Sequence, residues 1–223
     1  RTDINRDTLW PILAEYGLEA RLIEERFWER REEFLVMNPA GQIPVLVADG
    51  QPPVPGAAII AEYIEEALLD GHAGDRLLPQ AADERVEVRR LANWFNDKFH
   101  AEVSGPLVSE REFKRRMTQA HGGGPPDTEA LRAARHNIRY HLAYIGWLVS
   151  TRDWLAGDRL SWADLAAAAH LSAADYLGDV PWNTDETAKA WYARVKSRPS
   201  FRAILTDTLA GLPPSATYAN LDF

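Results

Sequence analysis

The chain contains no cysteine. That absence removes disulfides, zinc-thiolate sites, CxxC redox chemistry and any protein thiolate nucleophile. It also lacks long apolar runs: nothing approaches the roughly 20 residues that a membrane-spanning helix needs, so no membrane span is expected. Positive charge is in the minority, with 25 Lys and Arg against 33 Asp and Glu and a net charge of -8. Such a balance repels phosphate backbones and argues against nucleic acid as a partner. No histidine pair has the i,i+4 spacing with which a helix grips a metal. His136 and His141 are five apart and His100, His121 and His170 are scattered, so no metal site is expected. Secretion and lipidation motifs are missing too, which makes the cytoplasm the expected compartment.

What is present fits two domains, since 223 residues with 46% hydrophobic and 26% charged composition can build two cores. Asp7 or Thr8 is expected to cap a first helix that carries Pro11 early and stops at Gly17. Residues 18–23 alternate as a half-buried strand does, and the charged stretch 24–33 leads into a short helix ending near Met37. Residues 43–47 read as a buried strand that turns at Asp49-Gly50 into a hairpin partner over 51–54. A helix over 56–69 closes this half, and the aperiodic 71–81 reads as a linker.

Beyond the linker the pattern is helical. Val86, Leu91, Trp94, Phe95, Phe99 and Val103 form one stripe over 83–103, and Gly105-Pro106 predicts a break or kink before 107–117. A Gly and Pro loop over 122–126 precedes a long helix starting at Asp127 or Thr128, with Leu131, Ile138, Leu142, Ile145 and Leu148 inward. Ser161-Trp162-Ala163-Asp164 is a capping box with Asp in the acidic place, which gives Ser161 and Asp164 structural roles. The last long helix is expected over 187–196, with a further turn from Arg198. The basic run Arg111, Lys114, Arg115 and Arg116 reads either as a solvated helix face or as a dock for an acidic partner. Trp28, set in a charged segment, is a candidate partner contact. The tail opens with Pro213-Pro214 and carries Tyr218, Leu221 and Phe223, each worth roughly 1.5 to 3 kcal/mol when buried. Residues 212–218 are expected to pack down, leaving Asn220, Leu221, Asp222 and Phe223 for partner recognition.

Asn38-Pro39-Ala40-Gly41-Gln42-Ile43-Pro44 resembles the cis-proline segment of glutathione S-transferases. The capping box, preceded by Trp154-Leu155-Ala156-Gly157-Asp158 and followed by Ser197-Arg198-Pro199-Ser200-Phe201, resembles that family's helical domain. The resemblance implies α/β plus all-α architecture: a thioredoxin-like domain over 1–70, a linker over 71–82, an all-helical domain over 83–211 and a tail over 212–223. It also implies a first strand, which is expected to precede Arg1. For glutathione it implies binding through the Ile43 backbone beside a cis Pro44, and a carboxylate site at the helix N-terminus formed by Gly56 and Ala57. A homodimer is implied as well, formed by the helices over 56–69 and 83–103.

Two departures weaken the implied chemistry. The family stabilises the glutathione thiolate with a Tyr, Ser or Cys near the start of the first helix, where this chain has Thr2-Asp3-Ile4-Asn5-Arg6. Thr2, Asn5 and Arg6 are weak donor candidates and Asp3 opposes a thiolate, so no catalytic residue stands out. The family's acidic residue and Ser ahead of the next helix are replaced by Pro55-Gly56, and each lost hydrogen bond to a charged group costs about 1.5 to 3 kcal/mol. No cofactor is therefore expected to be required, glutathione is expected to bind weakly, and an efficient enzyme is not expected. Residues 94–106, 176–182 and 218–223 resemble more narrowly a bacterial glutathione S-transferase-like group, the FzlA group, that binds the division protein FtsZ. That resemblance implies a non-catalytic adapter acting at the division site. The alternative is a transferase that conjugates glutathione to an electrophilic small molecule.

Overall fold

The computed structural model describes residues 4–69, 75–206 and 208–221, with side chains from Leu9 onward. Helix α1 (Ile4–Glu15) leads to the left-handed Gly17, a 3-10 turn (Phe27–Glu29) and α2 (Glu32–Met37). Strands β1 (Val45–Leu46) and β2 (Val54–Pro55) pair antiparallel, with Val45 opposite Pro55 and Leu46 opposite Val54. Helix α3 (Ala57–Tyr63) continues into a π-wound turn (Ile64–Leu68). This is the thioredoxin-like half, and the remainder is helical.

In the second half α4 (Ala82–Asn93) runs on through a π-wound stretch (Trp94–Ser104), α5 (Gly105–Val108), a second π-wound stretch (Ser109–Phe113) and α6 (Lys114–Arg116). Helix α7 (Thr128–Val149) follows, then α8 (Trp162–Tyr176), α9 (Glu186–Lys196) and α10 (Pro199–Leu205). Every residue of α8 is buried, and its alanines at 163, 166–169, 173 and 174 let α1, α4 and the first π-wound stretch pack closely around it.

Four expectations need correction. Helix α1 is already wound at Ile4, so Asp7 and Thr8 are interior rather than caps. The burial of Leu9, Ile12 and Tyr16 in the core holds the helix together through Pro11. Residues 18–23 form no strand: Leu22 is 50% and Ile23 72% exposed, and no described strand lies alongside to form a ladder. Val86 lies outside the buried stripe at 63% exposure, because the helical period turns it well away from Val88 and Leu91, which face the core. Gly105-Pro106 does not break the helix. The π winding lets the Gly105 N–H reach the His100 carbonyl, and the Asn137 side chain donates to the Glu102 carbonyl at 3.3 Å.

Helix α8 begins as read. One Asp164 oxygen accepts from the Ser161 N–H at 3.0 Å and the Ser161 hydroxyl at 2.9 Å; the other accepts from the Leu155 N–H and the Trp191 indole, each at 2.9 Å. Ser161→Ala is expected to cost about 0.5 to 2 kcal/mol. Asp164→Ala orphans several buried donors at about 1 to 3 kcal/mol each and is expected to lose about 3 kcal/mol or more, measured by urea unfolding.

The two halves are joined by a bidentate pair. Arg198 donates to Glu15 at 2.7 and 2.8 Å, and the Ser200 hydroxyl also binds that carboxylate. Burial works to raise the Glu15 carboxyl, but Arg198 and Ser200 outweigh it and hold it below its ordinary 4.5. A lowered carboxyl contributes stability above its unfolded value and loses it as pH falls through the folded one. The stability difference between the native chain and Glu15→Gln is therefore expected to be constant above about pH 5 and to shrink on acidification below 4.5. Denaturation at a series of pH values checks this.

Candidate functional site

The site is a cleft of about 850 Å³ between the two halves. Its first wall is built by a turn that Asn38 organises. The buried Asn38 amide donates to the Gln42 carbonyl at 2.7 Å, and its oxygen accepts from the Ala40 N–H at 3.2 Å. That turn delivers Ile43 into a cis bond with Pro44. The Pro44 carbonyl accepts from Gly56 at 2.9 Å, and Gly56 takes φ 91°, a conformation that a side chain would strain, to swing the chain from β2 into α3. Ile43, Gly56 and Ala57 consequently line one cleft, with Gln42 beside them.

The opposite wall comes from α4 and its π-wound continuation. Asn93, Asn96, Asp97 and His100 make it polar, and Val108, Phe113 and Met117 make the far end apolar. Burial lowers the His100 imidazole, with Asp97 acting against it. None of these wall residues stands out in the sequence as part of a site; the only trace is Asn96, His100 and Ser104 recurring every four residues.

Other candidates fall elsewhere. Thr2 lies outside the described residues, and Asn5 and Arg6 lie in α1 with side chains outside the described set. Trp28 is half-buried, packed edge-on against Phe27 at 5.2 Å and against Phe113 at 5.5 Å, with Arg116 5.6 Å over its ring. Within the basic run, Arg111 pairs with Asp179, Lys114 with Glu110, and Arg116 with Glu112 and Glu24. These residues are an internal clasp rather than a solvated face. Among the described residues no cluster of His, Asp and Glu could hold a metal ion, and no helix is long and apolar enough to cross a membrane.

The tail is anchored by a buried polar hub. Lys196, fully buried, reaches Asp175 at 3.4 Å, the Thr217 carbonyl at 2.6 Å and the Asn220 carbonyl at 2.8 Å. Asp175 also accepts from the Trp182 indole at 3.0 Å and the Thr217 hydroxyl at 2.6 Å. Tyr218 is buried with its hydroxyl on the Ile204 carbonyl at 2.8 Å. The chain emerges after it: Asn220 is exposed and Leu221 half-exposed, while Asp222 and Phe223 lie outside the described residues.

With this geometry in place, comparison with known proteins places the fold. Residues 7–67 match the model of the glutathione S-transferase N-terminal domain, and residues 95–199 that of the C-terminal domain. FtsZ-localized protein A of Caulobacter vibrioides is 47% identical over 95% of this chain and 90% of its own length. A crystal structure of a glutathione S-transferase from Sinorhizobium meliloti superposes with a TM-score of 0.96 at 48% identity, covering 100% of this chain and 96% of that one. The structure of FzlA from C. crescentus superposes at 0.88 with 43% identity over 100% and 96% of the two chains. A thioredoxin-like domain presenting a cis proline to a cleft, an all-helical domain behind it and these matches over nearly the whole length make this chain a member of the glutathione S-transferase family.

Proposed function

We propose that the protein is an FtsZ-binding adapter of the division site that keeps a transferase cleft of low affinity. The observation that carries this reading is the 47% identity to FtsZ-localized protein A over 95% of the chain. The partner surface combines the exposed edge of Trp28 with residues 220–223. Arg116 lies over Trp28, and Arg115 of the same helix donates to the Gly211 carbonyl at 3.1 Å, at the entrance to the tail. In the cleft, the Ile43 backbone and the Gly56 and Ala57 end of α3 take glutathione weakly, because Pro55-Gly56 supplies neither hydroxyl nor carboxylate. The second reading is glutathione conjugation to an electrophile. It draws on the 48% identity to the Sinorhizobium transferase and on the size of the cleft.

Co-sedimentation with FtsZ polymer and glutathione calorimetry on one preparation separate the readings. The expected result is binding to polymer with roughly millimolar glutathione affinity and negligible conjugation. Micromolar glutathione binding with turnover and no polymer binding reverses the order. Deleting residues 221–223 is expected to abolish co-sedimentation while leaving thermal stability unchanged. Lys196→Met, which strips Asp175 of its buried cation, is expected to lose both, since breaking a buried pair costs about 3 to 5 kcal/mol.

The adapter is proposed to be a homodimer. Tyr140 and Trp147 on α7 are 60% and 64% exposed, Tyr144 stacks on Trp147 at 6.0 Å, and Trp94 meets Tyr144 at 4.7 Å. Ile59 on α3 and Val86 on α4, 60% and 63% exposed, add apolar side chains on the two expected interface helices, and a second copy would cover these together with the aromatic face. Light scattering of the native chain is expected to give a dimer, and Tyr140→Glu with Trp147→Glu a monomer; a native monomer at micromolar concentration refutes the assignment.

A further inference from the structure

Asn96 and His100 line the helical wall of the cleft four residues apart, and Ser104, four further on, is fully buried. Behind them His170 of α8 is fully buried, with Nε2 at 3.2 Å from Asn96 Oδ1 and Nδ1 at 2.9 Å from Ser104 Oγ. Burial, with His100 nearby, keeps that imidazole well below its ordinary value, so it is neutral and carries one N–H. Asn96 Oδ1 can only accept, which puts the hydrogen on Nε2 and leaves Nδ1 bare. The Ser104 hydroxyl must then donate to His170. Its oxygen can still accept, and His100 Nδ1 stands 3.4 Å away. That contact fixes His100 with hydrogen on Nδ1 and a bare Nε2.

Gly105 gives the ring its room. A Cβ there would stand 2.7 Å from the His100 carbonyl oxygen and 3.3 Å from Nε2. The wall thus offers the cleft a nitrogen acceptor from His100 beside the free amide hydrogens of Asn96.

We propose that His100 Nε2 accepts the thiol hydrogen of a cysteinyl peptide held in the cleft, with Ser104 and His170 as positioning residues that maintain the accepting tautomer. This rests on the reading that the Ile43 and Gly56 wall takes glutathione. That wall would pair with the peptide backbone, which leaves the cysteinyl side chain free to reach the His100 side of the same cleft. The hydrogen is shared rather than transferred, and no bond is made or broken.

Calorimetry with glutathione and with S-methylglutathione tests it. The native chain is expected to prefer the free thiol by about tenfold, the worth of one hydrogen bond plus the cost of covering the acceptor with a methyl group. His100→Phe is expected to erase the preference; Ser104→Ala is expected to erode it, and Ser104→Thr to keep it. Equal affinity of the native chain for the two peptides overturns this assignment and leaves the cleft reading standing. Heat from neither peptide overturns both. Nitrogen-15 NMR of labelled histidines adds a readout that packing alone does not move. His100 is expected to show a protonated Nδ1 and bare Nε2 in the native chain and a tautomer mixture in Ser104→Ala. The opposite tautomer in the native chain refutes the assignment.

Discussion

The carboxylate of Glu65 is the point on which the arrangement of the two halves depends. It sits in the π-wound turn after α3, only 3% exposed, and accepts from the hydroxyl of Tyr16, which directly follows α1, and from the Leu78 N–H at 3.1 Å. Tyr16 in turn accepts the Leu77 N–H at 2.6 Å, and the Leu77 carbonyl accepts the Trp162 N–H at the start of α8. Burial and Glu65 together push the Tyr16 phenol far above its ordinary value, so it remains a donor at any physiological pH. A buried charge alone costs several kcal/mol, and this one is offset by its two hydrogen-bond donors and by Arg76, 3.6 Å from its other oxygen. The pair of residues Leu77 and Leu78, read as linker, is thereby stitched into the core.

The cleft follows from that stitching. Once α1 and α3 are fixed against α8, the cis-proline turn and the wall from α4 must face each other. The π winding then decides what the second wall presents. It carries the helix past Pro106, keeps His100 beside Ser104, and buries Ser104 against His170. In a straight α-helix this proline would remove one backbone hydrogen bond and clash with the preceding turn.

Patterning made some of this legible. The Ser161 to Asp164 box and the long α7 are local devices whose residues carry their own geometry; the hairpin is legible in order but not in extent, since its strands are only Val45–Leu46 and Val54–Pro55, half-buried, and Val47 is 60% exposed. Residues 18–23 misled because alternation reports only a wish for a half-buried strand, and a strand also needs a neighbour. Gly105-Pro106 allowed a break that does not occur, because the rule assumes α winding. The His100 and His170 network was invisible because its partners sit on different helices, 66 and 74 residues apart. The Lys196 anchor was hidden for the same reason, since a lysine in a helix reads as solvated until its acceptors are known.

The Lys196 and Asp175 hub bears on how such a fold recognises a partner. Buried ion pairs are poor stabilisers, since apolar residues of equal volume often do better. What an apolar replacement cannot do is hold the carbonyls of Thr217 and Asn220 at set positions. Lys196 does this from inside α9, so the path of the tail is fixed up to the residue where it emerges. A segment ordered that far loses less conformational entropy when a partner orders the rest. The hub therefore contributes more to the direction in which the last residues leave the protein than to folding, and direction is what a recognition tail requires.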